Sequence, residues 1–364
     1  MGLLGGKLGQ VLYHSFKSGE LGLSDEQIIN NWLFDFNNNR QVFTFCHGLA
    51  GFNWLISFLG SEGIIRNDWK ANLSEIDSIL YRWMLQQVSQ LNYDFLHGAI
   101  GPCNYFLTRC DEPTYRKHVA EFVDSIEKIA IKEDDEKIKF FSYSPLKKKI
   151  VVDLGMAHGL ASIVYILSQT IKADINVQKS KNLLQNTCNH LISCSLEKGG
   201  DFYSAFPSSI IEDEPLKSSR LAWCYGDLGI GIALYQAATI TGNREWEQFS
   251  MDLLLKCTKR QDLNENSVVD AGLCHGTAGI GQIFYRMYVE TENLEFKIAA
   301  DYWFTKTIEI FGEPLERGEY LAWKGEKGWI REDNFLEGSS GIELALYCWK
   351  HGINPEWDNC LLLS

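Results

Sequence analysis

One short motif, two glycines three residues apart at the head of an apolar helical run, returns seven times along a chain of 364 residues. The copies begin at Gly6, Gly48, Gly98, Gly159, Gly226, Gly276 and Gly338, and in the fourth Ser162 stands where the second glycine is expected. Successive first glycines lie 42 to 67 residues apart, room for one glycine-headed helix, one return helix and their connections. The intervening segments Asp25 to Phe36, Ser74 to Leu91, Pro113 to Ile131 and Trp246 to Lys259 carry the three- and four-residue apolar spacing of amphipathic helices. The glycine-headed runs are almost uncharged, so they read as buried all round, with the amphipathic helices as their cover. Glycine costs roughly 1 kcal/mol against alanine inside a helix, so keeping it at one place in every repeat implies that backbones approach closely there.

This pattern predicts an all-α fold, an α/α toroid of seven helical-hairpin repeats whose inner helices are headed by G-x-x-G motifs. An open solenoid is the alternative arrangement of the same units. Size alone would suggest two or three domains, but the repeats are continuous and no Pro-rich or Gly/Ser-rich linker divides them, so residues 1–364 are expected to form one domain. The interruptions are a charged stretch from Lys132 to Lys149, a loop from Glu197 to Arg220 and a tryptophan-bearing loop from Tyr320 to Asn334. The chain starts almost on its first inner helix and ends soon after its last, so one outer helix is expected to be short or absent and ring closure is the least constrained part of the fold.

With 34 Lys and Arg against 47 Asp and Glu the formal charge is −13, which would repel a phosphate backbone and speaks against nucleic-acid binding. The longest stretch without Asp, Glu, Lys or Arg, Gln41 to Ser61, contains His47, Asn53 and three glycines and is a poor membrane span. Met-Gly-Leu-Leu-Gly-Gly lacks the features of a secretory or myristoylation signal, so a cytoplasmic protein without membrane insertion is expected. The ten cysteines are dispersed in a chain too large to need disulfide staples, and most read as buried thiols.

In a toroid whose inner helices start at one end, the residues just before each glycine pair share that end. They include Cys46-His47, Asp94 to His97, His158, Trp223-Cys224-Tyr225, Cys274-His275 and Glu337. Cys224 with Cys274 and His275 would supply two thiolates and an imidazole from consecutive repeats, which suits a tetrahedral Zn²⁺ with its fourth position open. The competing reading is that Cys-His-Gly simply packs well at a helix start, and Cys46-His47-Gly48 repeats the same triplet elsewhere.

Ala222-Trp223-Cys224-Tyr225-Gly226, Cys274-His275-Gly276-Thr277-Ala278-Gly279 and Ala157-His158-Gly159-Leu160-Ala161 resemble the lanthionine synthetase C-like family, the zinc-dependent cyclases of lanthipeptide biosynthesis. The resemblance runs from Gly6 to Gly341 and implies the α/α toroid, one Zn²⁺ held by Cys224, Cys274 and His275, and Michael-type addition of a peptide cysteine to dehydroalanine or dehydrobutyrine. Two ligand thiolates plus the incoming one would leave the site with a net charge of about −1, which keeps the substrate sulfur reactive. His158 and Asp94 match the family's catalytic histidine and aspartate, a sound acid/base pair. Arg220 matches its active-site arginine, a clamp for the enolate. Tyr225 matches the tyrosine beside the zinc cysteine, suited either to proton transfer or to positioning the carbonyl. His47, His97 and Glu337 have no catalytic counterparts and read as structural. The resemblance also implies a dehydrated precursor peptide, leader plus core, made by a separate dehydratase, and a complex with that dehydratase and a membrane exporter, to which this cytoplasmic chain would be peripheral. The segments Trp323 to Trp329 and Glu197 to Arg220 are candidates for its groove. Two alternatives are a non-catalytic zinc-containing scaffold that binds peptide or glutathione, and a zinc-thiolate alkyltransferase, whose usual Asp/Cys/His ligands are not matched. A glycosidase would need two apposed carboxylates, for which Asp94 with Glu337 is a poor pair.

Overall fold

A computed structural model describes residues 2–38, 41–65, 69–144, 148–196, 202–311 and 320–364. Among these, glycine-headed helices alternate with covering helices: α1 (Leu8–Ser18) with α2 (Leu23–Asn38), α3 (Leu49–Ser61) with α4 (Trp69–Ser89), and α5 (Ile100–Leu107) with α6 (Pro113–Ile129). Then come α7 (Leu160–Lys172) with α8 (Val177–Ser193), α9 (Asp227–Thr241) with α10 (Arg244–Cys257), α11 (Thr277–Thr291) with α12 (Leu294–Phe311), and finally α13 (Ser339–His351). The chain divides into two compact units, one of residues 1–78 and 261–364 and the other of residues 79–260.

The two helix types differ as their sequences require. In α7 nearly every residue from Leu160 to Leu167 is buried, whereas α6 buries only Tyr115, Val119, Phe122, Val123 and Ile126, a stripe at helical spacing. α10 does the same with Trp246, Ser250, Leu253, Leu254 and Cys257. Further glycines let cover pack closely on inner helix: a Cβ on Gly231 would lie 2.7 Å from the Leu254 side chain, and one on Gly281 3.1 Å from Phe304.

The repeated glycine pair has a more local cause than helix-to-helix approach. A Cβ on the first glycine would strike the carbonyl oxygen six residues earlier, at 2.2 Å from Val42 for Gly48, 2.3 Å from Asp153 for Gly159 and 2.2 Å from Glu332 for Gly338. The second glycine repeats the geometry one turn on, with Gly51, Gly279 and Gly341 at 2.1, 2.0 and 1.9 Å from Phe45, Leu273 and Phe335 oxygens. Each helix start is therefore wrapped by its own preceding turn, closed by bonds such as Leu49 N–H to Val42 O (2.8 Å) and Thr277 N–H to Asp270 O (3.0 Å). Neighbouring turns then join. In the second unit Phe95 N–H donates to Ala157 O and Ala157 N–H to Cys224 O. In the first unit Cys274 N–H donates to Leu336 O, Leu336 N–H to Leu4 O and Leu4 N–H to Cys46 O. The first repeat thus bonds to the last, and α1 packs on α13.

After α13 the chain passes into a short 3-10 turn, Glu356–Leu361, that buries Trp357, Cys360 and Leu361. Asp358 in this turn accepts from Arg286 and Gln282 of α11, so the charges are paired where they leave water.

The interruptions carry short strands that helical periodicity does not register. β1 (Ile131–Lys132) pairs antiparallel with β2 (Ile138–Lys139) inside the charged stretch. His190 of α8 meets Glu133 at 2.8 Å and holds this hairpin down. β3 (Ser142–Ser144), β4 (Lys149–Asp153) and β5 (Ser209–Ile210) form a three-stranded sheet in that order. β6 (Leu321–Trp323) pairs with β7 (Trp329–Arg331), setting Trp323 opposite Trp329. Of the Glu197 to Arg220 loop, residues 197–201 lie outside the described residues. No described helix is long and apolar enough to cross a membrane.

Candidate active site

The wrapped turn fixes where chemistry can sit, because it presents the residue just before each first glycine at the head of an inner helix. In the second unit this places His158 ahead of α7 and Tyr225 ahead of α9. His158 Nδ1 lies 2.5 Å from Asp94 Oδ2, and the other Asp94 oxygen accepts from the His97 backbone N–H at 2.7 Å. One carboxylate therefore caps its own turn and reaches the next repeat's imidazole. The Tyr225 ring lies 5.4 Å from that of His158, and the His97 ring is nearly parallel to it at 6.3 Å. Asp94, His158 and Tyr225 are brought together. His97 lies beside them, its ring facing that of His158.

Burial would lower the His158 pKa, but the charge and hydrogen bond of Asp94, with Asp153 and Cys224 behind them, outweigh it and push the imidazole up to about 9. His97 goes the other way. Burial draws it below its ordinary value, Asp94 opposes this, and the neighbouring His158 adds to it. The two adjacent histidines are thus shifted in opposite directions, the one gripping the carboxylate toward the cation.

Arg220 begins the turn that ends at Gly226, whose φ of +89° and 2.5 Å approach to the Arg220 oxygen admit only glycine. The Arg220 side chain is half-buried and makes no ion pair among the described residues. Cys224 is buried in the same turn. Gly155 makes this possible, since a Cβ there would sit 2.2 Å from the Cys224 oxygen.

In the first unit Cys274 and His275 head α11, each partly accessible. Asp270, almost wholly buried, lies with Oδ2 3.9 Å from His275 Nε2. Sequence reasoning passed over this aspartate and its counterpart Asp153, although the signal was present. Asp153-Leu154-Gly155-Met156-Ala157-His158-Gly159 and Asp270-Ala271-Gly272-Leu273-Cys274-His275-Gly276 share the pattern Asp-x-Gly-x-x-His-Gly. Each aspartate accepts the N–H of the glycine two residues on, at 2.9 and 3.1 Å. The turns of His47 and His97 have Val42 and Asn92 in the aspartate's place. At Glu337, Asn334 caps the backbone N–H and Lys324 pairs with the carboxylate.

A family model described as lanthionine synthetase C-like protein matches residues 13–362. The chain belongs to the lanthionine synthetase C-like family. Among solved structures, nisin cyclase matches with a TM-score of 0.79 and 18% identity over 100% of this chain and 92% of that one. At that identity the likeness shows the fold, which is the α/α toroid of this family.

Proposed function

We propose that this protein is a zinc-dependent cyclase that adds peptide cysteine thiolates to dehydroalanine or dehydrobutyrine, closing lanthionine or methyllanthionine rings. Family membership supports the reaction class, and the 2.5 Å contact of His158 with Asp94 is the observation that carries the catalytic reading. Cys224, Cys274 and His275 are the residues that would hold Zn²⁺. Two thiols with one imidazole are a donor set that could hold a metal ion and that zinc accepts. The metal when bound would supply a thiolate at neutral pH from a thiol whose free pKa is near 8.5.

The chain's own residues account for the rest. The thiolate sulfur bonds to the β-carbon, the C=C electron pair moves toward the carbonyl as an enolate, and the His158 imidazolium gives its proton to the α-carbon. His158 ends neutral and recovers the proton that the thiol released, so the net change is S–H added across C=C. Asp94 holds Nδ1 and leaves Nε2 to face substrate. The Arg220 guanidinium, without an ion pair among the described residues, suits the enolate oxygen. Tyr225, beside His158, suits proton transfer or carbonyl positioning. A scaffold that binds peptide or glutathione without turnover would have no use for a carboxylate-held, cationic imidazole. The same reading takes residues 1–364 as one working domain in the cytoplasm, peripheral to a membrane-associated complex, its substrate a dehydrated leader-plus-core peptide from a separate dehydratase, with a membrane exporter downstream.

The test measures zinc per chain by elemental analysis in anaerobic wild type and Cys224→Ala, with circular dichroism as a fold control. About one zinc, lost in the variant, is expected, together with ring closure of a dehydrated peptide by wild type alone. A well-folded wild type that neither carries nor takes up zinc would overturn the reading.

A further inference from the structure

The Asp-x-Gly-x-x-His-Gly turn of the first unit does more than start a helix. Asp270 is about 1% exposed, and a carboxylate so far from water must find donors. Its Oδ1 takes the Gly272 N–H. Its Oδ2 takes the Trp323 N–H of β6 at 3.1 Å and also faces His275 Nε2 at 3.9 Å. That last separation is too long for a hydrogen bond but sets the buried carboxylate directly behind the imidazole. A carboxylate in that place orients a ligand histidine toward its metal.

The same oxygen anchors the hairpin of β6 and β7. β6 and β7 form an isolated two-stranded hairpin, which is marginal by itself in water. It exposes two tryptophans, Trp323 at 41% and Trp329 at 47%, with ring centres 5.4 Å apart. Its base is fastened by Trp323 N–H to Asp270, by Lys324 to Glu337 and by Tyr320 N–H to Ser339 Oγ. Of these fastenings, the Asp270 one touches the turn that bears His275.

We propose that Asp270 is a positioning residue for His275 as a zinc ligand, and that by holding the Trp323 amide on the same oxygen it couples the metal site to the aromatic hairpin. Zinc loading would then order the hairpin, and whatever grips the two tryptophans would in turn steady the metal ligand, since coupling between two sites is reciprocal. The inference rests on the reading of Cys224, Cys274 and His275 as zinc ligands.

The experiment uses the full chain and the metal alone. Zinc affinity is measured by competition with a chromophoric chelator in wild type, Asp270→Asn and Trp323→Ala, and cobalt-loaded protein is compared by its visible absorption. Asp270→Asn should fold, bind zinc 10- to 100-fold more weakly and shift the cobalt bands, the range expected when a carboxylate behind a ligand histidine is removed. Trp323→Ala keeps its backbone N–H and should bind zinc like wild type. Hydrogen exchange over residues 320–332 should slow on zinc loading of wild type and be fast in Asp270→Asn with or without metal. Wild-type exchange in this hairpin that ignores zinc would overturn the coupling even if the variant failed to fold. Equal zinc affinity and equal cobalt spectra in folded Asp270→Asn would overturn the positioning role while leaving the cyclase reading intact. Absence of zinc binding in wild type would overturn both.

Discussion

The chain writes Cys-His-Gly twice, at Cys46-His47-Gly48 and Cys274-His275-Gly276, and the two copies have different surroundings. Both head an inner helix through the same wrapped turn. In the first, Cys46 is buried, its carbonyl takes the Leu4 and Gly5 N–H groups, and the exposed His47 ring fills the space where a side chain on Gly5 would be. No carboxylate begins that turn, because Val42 stands there. In the second, both side chains are partly accessible and Asp270 stands behind the imidazole. A Cys-His pair at a helix start is thus a packing solution by default. What separates a candidate ligand from a filler is the acidic residue five positions before the histidine.

The largest effect should come from deleting the two cysteines in parallel. Cys274→Ala is expected to lose the zinc and with it ring closure, down to the uncatalysed background. Cys46→Ala should keep the metal and the activity and show only the cost of a small cavity, about 1 kcal/mol. Elemental analysis with a cyclisation assay separates them, and zinc lost from Cys46→Ala instead would reverse the comparison.

The two histidines beside Asp94 sharpen the same contrast. His158→Gln should slow ring closure by about 10²- to 10⁴-fold, the usual share of general acid–base catalysis, with KM little changed. His97→Gln should cost less than about threefold, since its turn has Asn92 where the His158 turn begins with Asp153. A comparable loss from both would mean that the Asp94 grip does not select the working imidazole.

Their difference also has a pH signature. His158 is pushed up to about 9 from an ordinary value near 6.5, with Asp94 the main cause overcoming burial. A raised folded-state value means the imidazolium favours the folded state fully below about pH 6.5 and loses that contribution as pH rises through about 9. The stability gap between wild type and His158→Gln, followed by urea unfolding, should therefore be widest near pH 6 and narrow toward pH 10. A gap that widens with pH would show that the neutral imidazole is the favoured form.

The repeat unit, the order of helices and the pre-glycine residues were legible in the sequence because each rests on local chemistry. Uncharged runs must be buried, and glycine at a fixed offset betrays a backbone that comes too close for a Cβ. The cause of that closeness was not legible, since periodicity cannot tell a neighbouring helix from a carbonyl six residues back in the same turn. The short strands escaped for a related reason: β1, β2 and β6 are two or three residues long, below the length at which alternation can be counted. Asp153 and Asp270 were readable and were missed. Their signal is a comparison among the pre-glycine turns, visible when the two Asp-x-Gly-x-x-His-Gly turns are set against Val42 and Asn92.

The smallest effect concerns the turn that carries His158, where Ser162 replaces the second glycine of the motif. Its hydroxyl donates to the Gly159 oxygen at 2.8 Å in a fully buried place. Ser162→Gly removes that bond and adds chain freedom to the unfolded state, so a loss of about 1 kcal/mol is expected by thermal unfolding, with ring closure unaffected. The reverse change at an equivalent position is a different problem. Gly279→Ser would put a Cβ 2.0 Å from the Leu273 oxygen, in the turn that holds Cys274 and His275, and the backbone rather than a side chain would have to yield. That variant should lose zinc affinity as well as stability. If Ser162→Gly disturbed catalysis as much as Gly279→Ser disturbed the metal, the turn before α7 would be held by the serine hydroxyl and not by Asp153 and Gly159, and the two histidine turns would no longer be built alike.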